Sequence, residues 1–196
     1  MRKLIVFLFV TLVMVNISVS AAAYDYANNE LIHTVNYTKY TSKDTAAVKW
    51  DGKTEFKDNT YYYTTKSVTL SKNAVLPENS TLEVRCPLKI TKKAQLQIDG
   101  KLIINYSGKV NPYNGKLIVS PDSYVDCYGA LAVSAKGSVD VYGSVRVFDT
   151  GSLTVKGMVC AKENGRVVCT GKLKRYQTAK ISQNIIVPDN ITDELS

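Results

Sequence analysis

Two aspartates stand in nearly the same surroundings 14 residues apart: Asp126 in YVDCYG and Asp140 in SVDVYG. Carboxylates brought side by side by a repeat could bind Ca²⁺ or act as acid and base on a glycosidic bond. Asn111 falls about one repeat earlier, and Tyr113, Tyr128 and Tyr142 recur two residues after each of these polar positions. Aromatic rings offer apolar faces to sugars, and amides and carboxylates pair with sugar hydroxyls. With Tyr124, these residues are the candidate binding set. His33 is the only histidine, which argues against a His-dependent active site. The four cysteines, Cys86, Cys127, Cys160 and Cys169, have no zinc-site spacing, and no metal or other cofactor is expected beyond Ca²⁺ at Asp126 and Asp140.

The residues that would position this set form a repeat. Gly115, Gly129, Gly143, Gly157 and Gly171 are each 14 apart, and so are Gly137, Gly151 and Gly165. Gly100 precedes Gly115 by 15, which marks a one-residue insertion near Asn114. Eight units follow, beginning at Ser67, Thr81, Gln95, Lys109, Tyr124, Ser138, Ser152 and Arg166. Within a unit, positions 2, 4 and 8 are apolar, position 10 is apolar until it fails at Ala161 and Arg175, position 6 is mostly Gly and position 14 is always small. Alternation with period 2 is a strand signal, and Gly or another small residue between strands is a turn signal. Glycine would supply φ > 0 at these turns and let successive turns lie close together. A single unit cannot bury its apolar side, whereas stacked units form continuous ladders.

The expected fold is therefore all-β: a parallel β-solenoid of about eight 14-residue units with an N-terminal cap. If each unit is one coil, Asp126 and Asp140 stack, and Tyr113, Tyr128 and Tyr142 line up along the axis. Coils of two units are the alternative, and handedness is open. Cys127 and Cys169 would lie three coils apart, too far for a disulfide. All four thiols are then expected free, with Cys160–Cys169 the one pair left open.

Four segments follow from this pattern. Residues 1–23 read as a signal peptide, with Arg2-Lys3, an apolar run from Leu4 to Val15, and small residues at Ala21 to Ala23. Residues 24–66 read as a lead, cap and opening strand, in which Trp50-Asp51-Gly52-Lys53 turns between short strands at 47–50 and 54–56. The solenoid spans 67–179, and 180–196 form a C-terminal cap and tail.

Units such as SVDVYGSVRVFDTGSLTVKG resemble the right-handed parallel β-helix domains of bacterial secreted surface proteins, and more distantly the bactofilin solenoids. The resemblance covers roughly residues 60–176 and carries over no catalytic motif. Bactofilins are cytoplasmic, whereas the leader here points to export.

Composition narrows the function. Removing Arg2 and Lys3 with the leader takes the formal charge from +8 to +6. Lysine and arginine are scattered along the chain, with small clusters such as Lys172-Leu173-Lys174-Arg175. After export, such a charge suits polysaccharide or anionic envelope polymers rather than nucleic acid. The expected function is a secreted, non-enzymatic structural, adhesive or carbohydrate-contacting surface module, without a membrane span after cleavage and with self-association open. The alternative is a β-helix polysaccharide lyase or glycoside hydrolase using Asp126 and Asp140.

Overall fold

The computed structural model describes residues 47–182, 185–187 and 194–195. The leader, residues 24–46 and most of the C-terminal tail lie outside the described residues. The chain winds as a parallel β-solenoid with three faces, and none of the described residues is helical. Face A stacks β1 (Val48–Lys49), β2 (Tyr61–Tyr63), β5 (Thr81–Val84), β8 (Lys101–Ile104), β11 (Tyr124–Cys127), β14 (Ser144–Val147), β17 (Arg166–Cys169) and β20 (Ile185–Ile186). Face B stacks β3 (Val68–Leu70), β6 (Pro87–Ile90), β9 (Lys109–Pro112), β12 (Ala130–Val133), β15 (Ser152–Val155), β18 (Lys172–Arg175) and β21 (Glu194–Leu195). Face C stacks β4 (Ala74–Leu76), β7 (Gln95–Ile98), β10 (Lys116–Val119), β13 (Ser138–Val141), β16 (Met158–Ala161) and β19 (Lys180–Ile181).

The alternation read from sequence holds along nearly every strand. Positions 2 and 4, then 8 and 10, point inward, and Leu82, Leu102, Val125, Val145 and Val167 form one ladder at 1% exposure or less. The coil, however, is not the 14-residue unit. A unit contains two strands and a coil contains three, so one coil is a unit and a half. Registers show this directly. Leu82 pairs with Leu102 and Val125 with Val145, 20 residues on, whereas Val145 pairs with Val167, 22 on.

The two coil lengths arise at the corners. Each unit has one tight bend, such as Tyr142-Gly143, and one four-residue turn, such as Ser134–Gly137, closed by a Gly137 N–H to Ser134 carbonyl bond of 2.8 Å. Three corners per coil and two corner types in strict alternation mean that, at any one corner, bends and turns alternate from coil to coil. A bend therefore nests on a turn.

This nesting, not left-handed backbone, is what selects glycine. Among the described glycines only Gly52 has positive φ, at 85°. A Cβ on Gly157 would sit 2.3 Å from the carbonyl oxygens of both Ser134 and Gly137, the two ends of the turn beneath it. At the turn corners, positive φ falls instead on Lys92, Lys93, Asp122 and Glu163. The expectation of φ > 0 at the repeat glycines is thus corrected, while the close approach of successive turns holds.

The N-terminal end differs from the expected hairpin. Residues 54–56 are not a strand, and β1 pairs in parallel with β2 as the first rung of face A. Trp50, 1% exposed, stacks on Phe56 at 4.7 Å, and Phe56 meets Tyr62 edge-on at 4.9 Å. The Trp50 indole donates to the Thr54 carbonyl, and Asp51 accepts from the backbone N–H groups of Lys53 and Thr54. These rings lie against the apolar ladders that the first coil would otherwise leave open.

Gly157→Ala is expected to lower stability by about 1–3 kcal/mol, because neither contacting carbonyl can yield without moving its turn. Val139→Asp, at a fully buried rung between Leu117 and Val159, is expected to cost about 3 kcal/mol or more. Denaturant melts of both variants against the parent check these values.

Candidate functional site

The three-faced coil separates the residues that a 14-residue coil would have stacked. Asp126 projects from face A, Asp140 from face C and Asn111 from face B. The three tyrosines occupy three different corners: Tyr113 between faces B and C, Tyr128 between A and B, and Tyr142 between C and A. Neither the paired carboxylates nor the axial Tyr113–Tyr128–Tyr142 column exists. Of the candidate set, only Tyr124 and Asp126 share a face and strand.

Each carboxylate has its own cations instead. Asp126, 1% exposed, lies 2.6 Å from the Arg146 guanidinium and 3.3 Å from Lys101 Nζ. The Lys101 ammonium and the Arg146 guanidinium both face the Tyr124 ring, at 5.1 and 6.0 Å from its centroid. Burial lowers the Lys101 pKa, opposed by the Asp126 charge. Asp140 pairs with Lys116 at 3.0 Å through one oxygen, while its Oδ1 has no hydrogen-bond partner among the described residues. Asn111 accepts from the Ser134 hydroxyl at 3.0 Å. Among the described residues, no group of three or more His, Cys, Asp or Glu is placed to hold a metal ion.

A second polar network on face A was not anticipated. Glu83, 2% exposed, accepts from Tyr61 Oη at 2.5 Å, from Arg85 Nε at 2.8 Å and from the Asn105 amide. Burial alone would raise its pKa, yet the bonds from Arg85, Tyr61 and Asn105 hold it below the usual carboxylate value. Burial and the Glu83 bond push the Tyr61 phenol well above its ordinary value. Glu83, Ile103, Asp126 and Arg146 follow one another up a single column of face A. The signal was present in the sequence, at spacings of 20 and 23 rather than 14.

The aromatic column is also real but differently composed. Tyr106, Tyr128 and Phe148 stack at the A–B corner, with Tyr106–Tyr128 centroids 5.6 Å apart and Tyr128–Phe148 4.4 Å apart at 5° between planes. The rings spend their faces on one another, so Tyr128 helps to zip the corner and has little open face for a sugar. Tyr113, 49% exposed, carries Lys89 over its ring at 3.8 Å. Tyr142 is half-buried at its bend.

All four cysteines are free. Cys127 and Cys169 point inward on the same face two coils apart, with Val147 between them, rather than three coils apart. Burial raises the Cys127 thiol pKa to about 12 and that of Cys169 to about 11. Cys160 projects outward on face C beside Asp140, so Cys160 and Cys169 are on different faces and on opposite sides of the wall.

No family model matches the chain, and no curated protein or solved structure is significantly similar to it. The expected resemblances to secreted β-helix domains and bactofilins therefore rest on the sequence motifs alone.

Three outcomes are expected. In the folded protein, a thiol probe should label Cys86 and Cys160 readily, and Cys127 and Cys169 only on unfolding without reductant. Asp126→Asn should lower stability by about 3–5 kcal/mol, because it leaves Lys101 and Arg146 without their counter-charge. Glu83 has a lowered folded pKa, so its contribution is complete above the ordinary Glu value of about 4.3 and is lost as pH falls through the folded value. Glu83→Gln should therefore be less stable than the parent near neutrality, with the gap closing in acid; melts across that range check it.

Proposed function

We propose that this chain is an exported, non-enzymatic β-solenoid that serves as a structural and adhesive surface module, contacting polysaccharide or other envelope polymers along its sides. The observation that carries this reading is the separation of the polar candidates: the carboxylates Asp126 and Asp140 and the amide Asn111 stand on three faces, and the two carboxylates are each held by cations of the same chain. Hydrolysis or elimination on a sugar needs two groups converging on one bond. The enzymatic alternative loses its motive with that separation.

Other features point the same way. The strands are short and their corners are bends and four-residue turns, so the sides are nearly flush. Flush sides suit contact spread over many coils, as in other repeat proteins whose extended surfaces bind partners. Export is supported by the basic start and small-residue end of residues 1–23.

The test uses the chain without residues 1–23, incubated with isolated cell envelopes and a panel of polysaccharides. Binding without release of new reducing ends or unsaturated products is expected. Absence of binding to every envelope and polysaccharide would overturn the proposal. So would product release that Asp140→Asn abolishes.

A further inference from the structure

Lysines that look scattered in the sequence are gathered by the three-faced winding. The corner between faces B and C carries Lys72, Lys92, Lys93, Lys136 and Lys156, all exposed. Face B itself adds Lys89, Lys109 and Lys172 at exposed outward positions. Among the described residues, no Asp or Glu occupies an outward position of β3, β6, β9, β12, β15 or β18, or the corner that follows any of them. On face B itself, Glu194 of β21 pairs in register with Lys174 at the C-terminal end. The ion pairs of Arg85, Lys101, Lys116 and Arg146 lie away from this strip. By contrast, the C–A corner carries Glu78, Asp99, Asp122 and Glu163. The charge is therefore segregated around the rod.

We infer that face B and the B–C corner form a docking strip for an extended polyanionic glycan, a sugar polymer bearing sulfate, phosphate or carboxylate groups. The inference rests on the surface-module reading and deepens it by naming the face and the partner. From the Lys72 coil to the Lys156 coil is four strand spacings, or ~19 Å, so the strip addresses several sugar residues at once. A row of like charges with no acid between them repels itself, and an anionic polymer laid along it relieves that repulsion.

The groups between the lysines favour a glycan over a nucleic acid. Asn111, Asn114 and Thr154 supply amide and hydroxyl groups on or beside the strip. The exposed cations are lysines, which act as point charges, rather than arginine forks shaped for bidentate phosphate recognition. Tyr113 has Lys89 over its ring at 3.8 Å, so it does not offer two open faces for bases. The ammonium held there is instead presented at the rim of the strip.

Dextran sulfate is the probe, with neutral dextran of the same length as its control, and binding to the chain without residues 1–23 is measured at low and high salt. The parent should bind dextran sulfate, ignore neutral dextran, and lose affinity by about tenfold or more as screening shortens the reach of each charge. The triple variant Lys72→Glu, Lys136→Glu, Lys156→Glu should lose binding by about tenfold or more, while Lys53→Glu, Lys57→Glu, Lys162→Glu, with the same change in net charge elsewhere, should stay within about threefold of the parent. Melts of both triples confirm that each is folded. Equal losses in the two triples would show a net-charge effect and overturn the strip. Tighter binding to single-stranded nucleic acid or to anionic lipid vesicles than to dextran sulfate would overturn the glycan as partner. If the first triple still binds envelopes like the parent, the strip fails while the surface-module reading stands.

Discussion

The seating of a two-residue bend on the carbonyls of a four-residue turn is the constraint on which the solenoid depends. Bend glycines lie so near the turn of the preceding coil that a Cβ would meet its terminal carbonyl oxygens: Gly143 over Ser120 and Ser123, Gly129 over Asn105 and Gly108, Gly171 over Phe148 and Gly151. An even number of strands per coil would place bends over bends and turns over turns. Three strands per coil offset them by one corner type. The bend then seats on the turn, and the strands on either side meet in register with their apolar rungs aligned.

From that closure follows a division of labour between the inside and the outside of the wall. Inside, Leu, Val and Ile ladders run unbroken, and Cys127 and Cys169 fit among them as small apolar fillers with raised thiol pKa values. Outside, each face stacks unlike residues. On face A these are charges of opposite sign, and Glu83 and Asp126 sit among Arg85, Lys101 and Arg146 with little exposure. Such buried pairs add little net stability compared with apolar substitutes, but removing one partner is costly. Face A thus has strongly interlocked charges, whereas face B carries exposed Lys89, Lys109 and Lys172 with no Asp or Glu at an outward position of its strands from β3 to β18. That asymmetry separates a face whose charges pair within the chain from the face on which the glycan strip is proposed.

The aromatic residues follow the same logic. Tyr106, Tyr128 and Phe148 come together only because their separations of 22 and 20 match successive coils at one corner. Their stacking adds to the corner on its outer side what the bend-on-turn contact supplies on its inner side. Trp50, Phe56 and Tyr62 do the corresponding work at the N-terminal end, where a parallel sheet would otherwise present its apolar ladders to water.

The sequence by itself determined the local geometry of this protein. Apolar positions 2, 4, 8 and 10 fixed which side chains face inward, because a strand reverses its side chains every residue and only one side of the wall is buried. The alternating Gly and small residues fixed where the chain bends and where it turns. What the sequence did not carry was the number of strands per coil. A two-strand unit repeats identically whether two, three or four strands close the ring, so the 14-residue period says nothing about which residues meet across coils. Only the tertiary contact decided that, when the bend glycines found their place on the turns. With it were settled the parting of Asp126 from Asp140, the meeting of Tyr128 with Phe148, and the gathering of distant lysines onto one side.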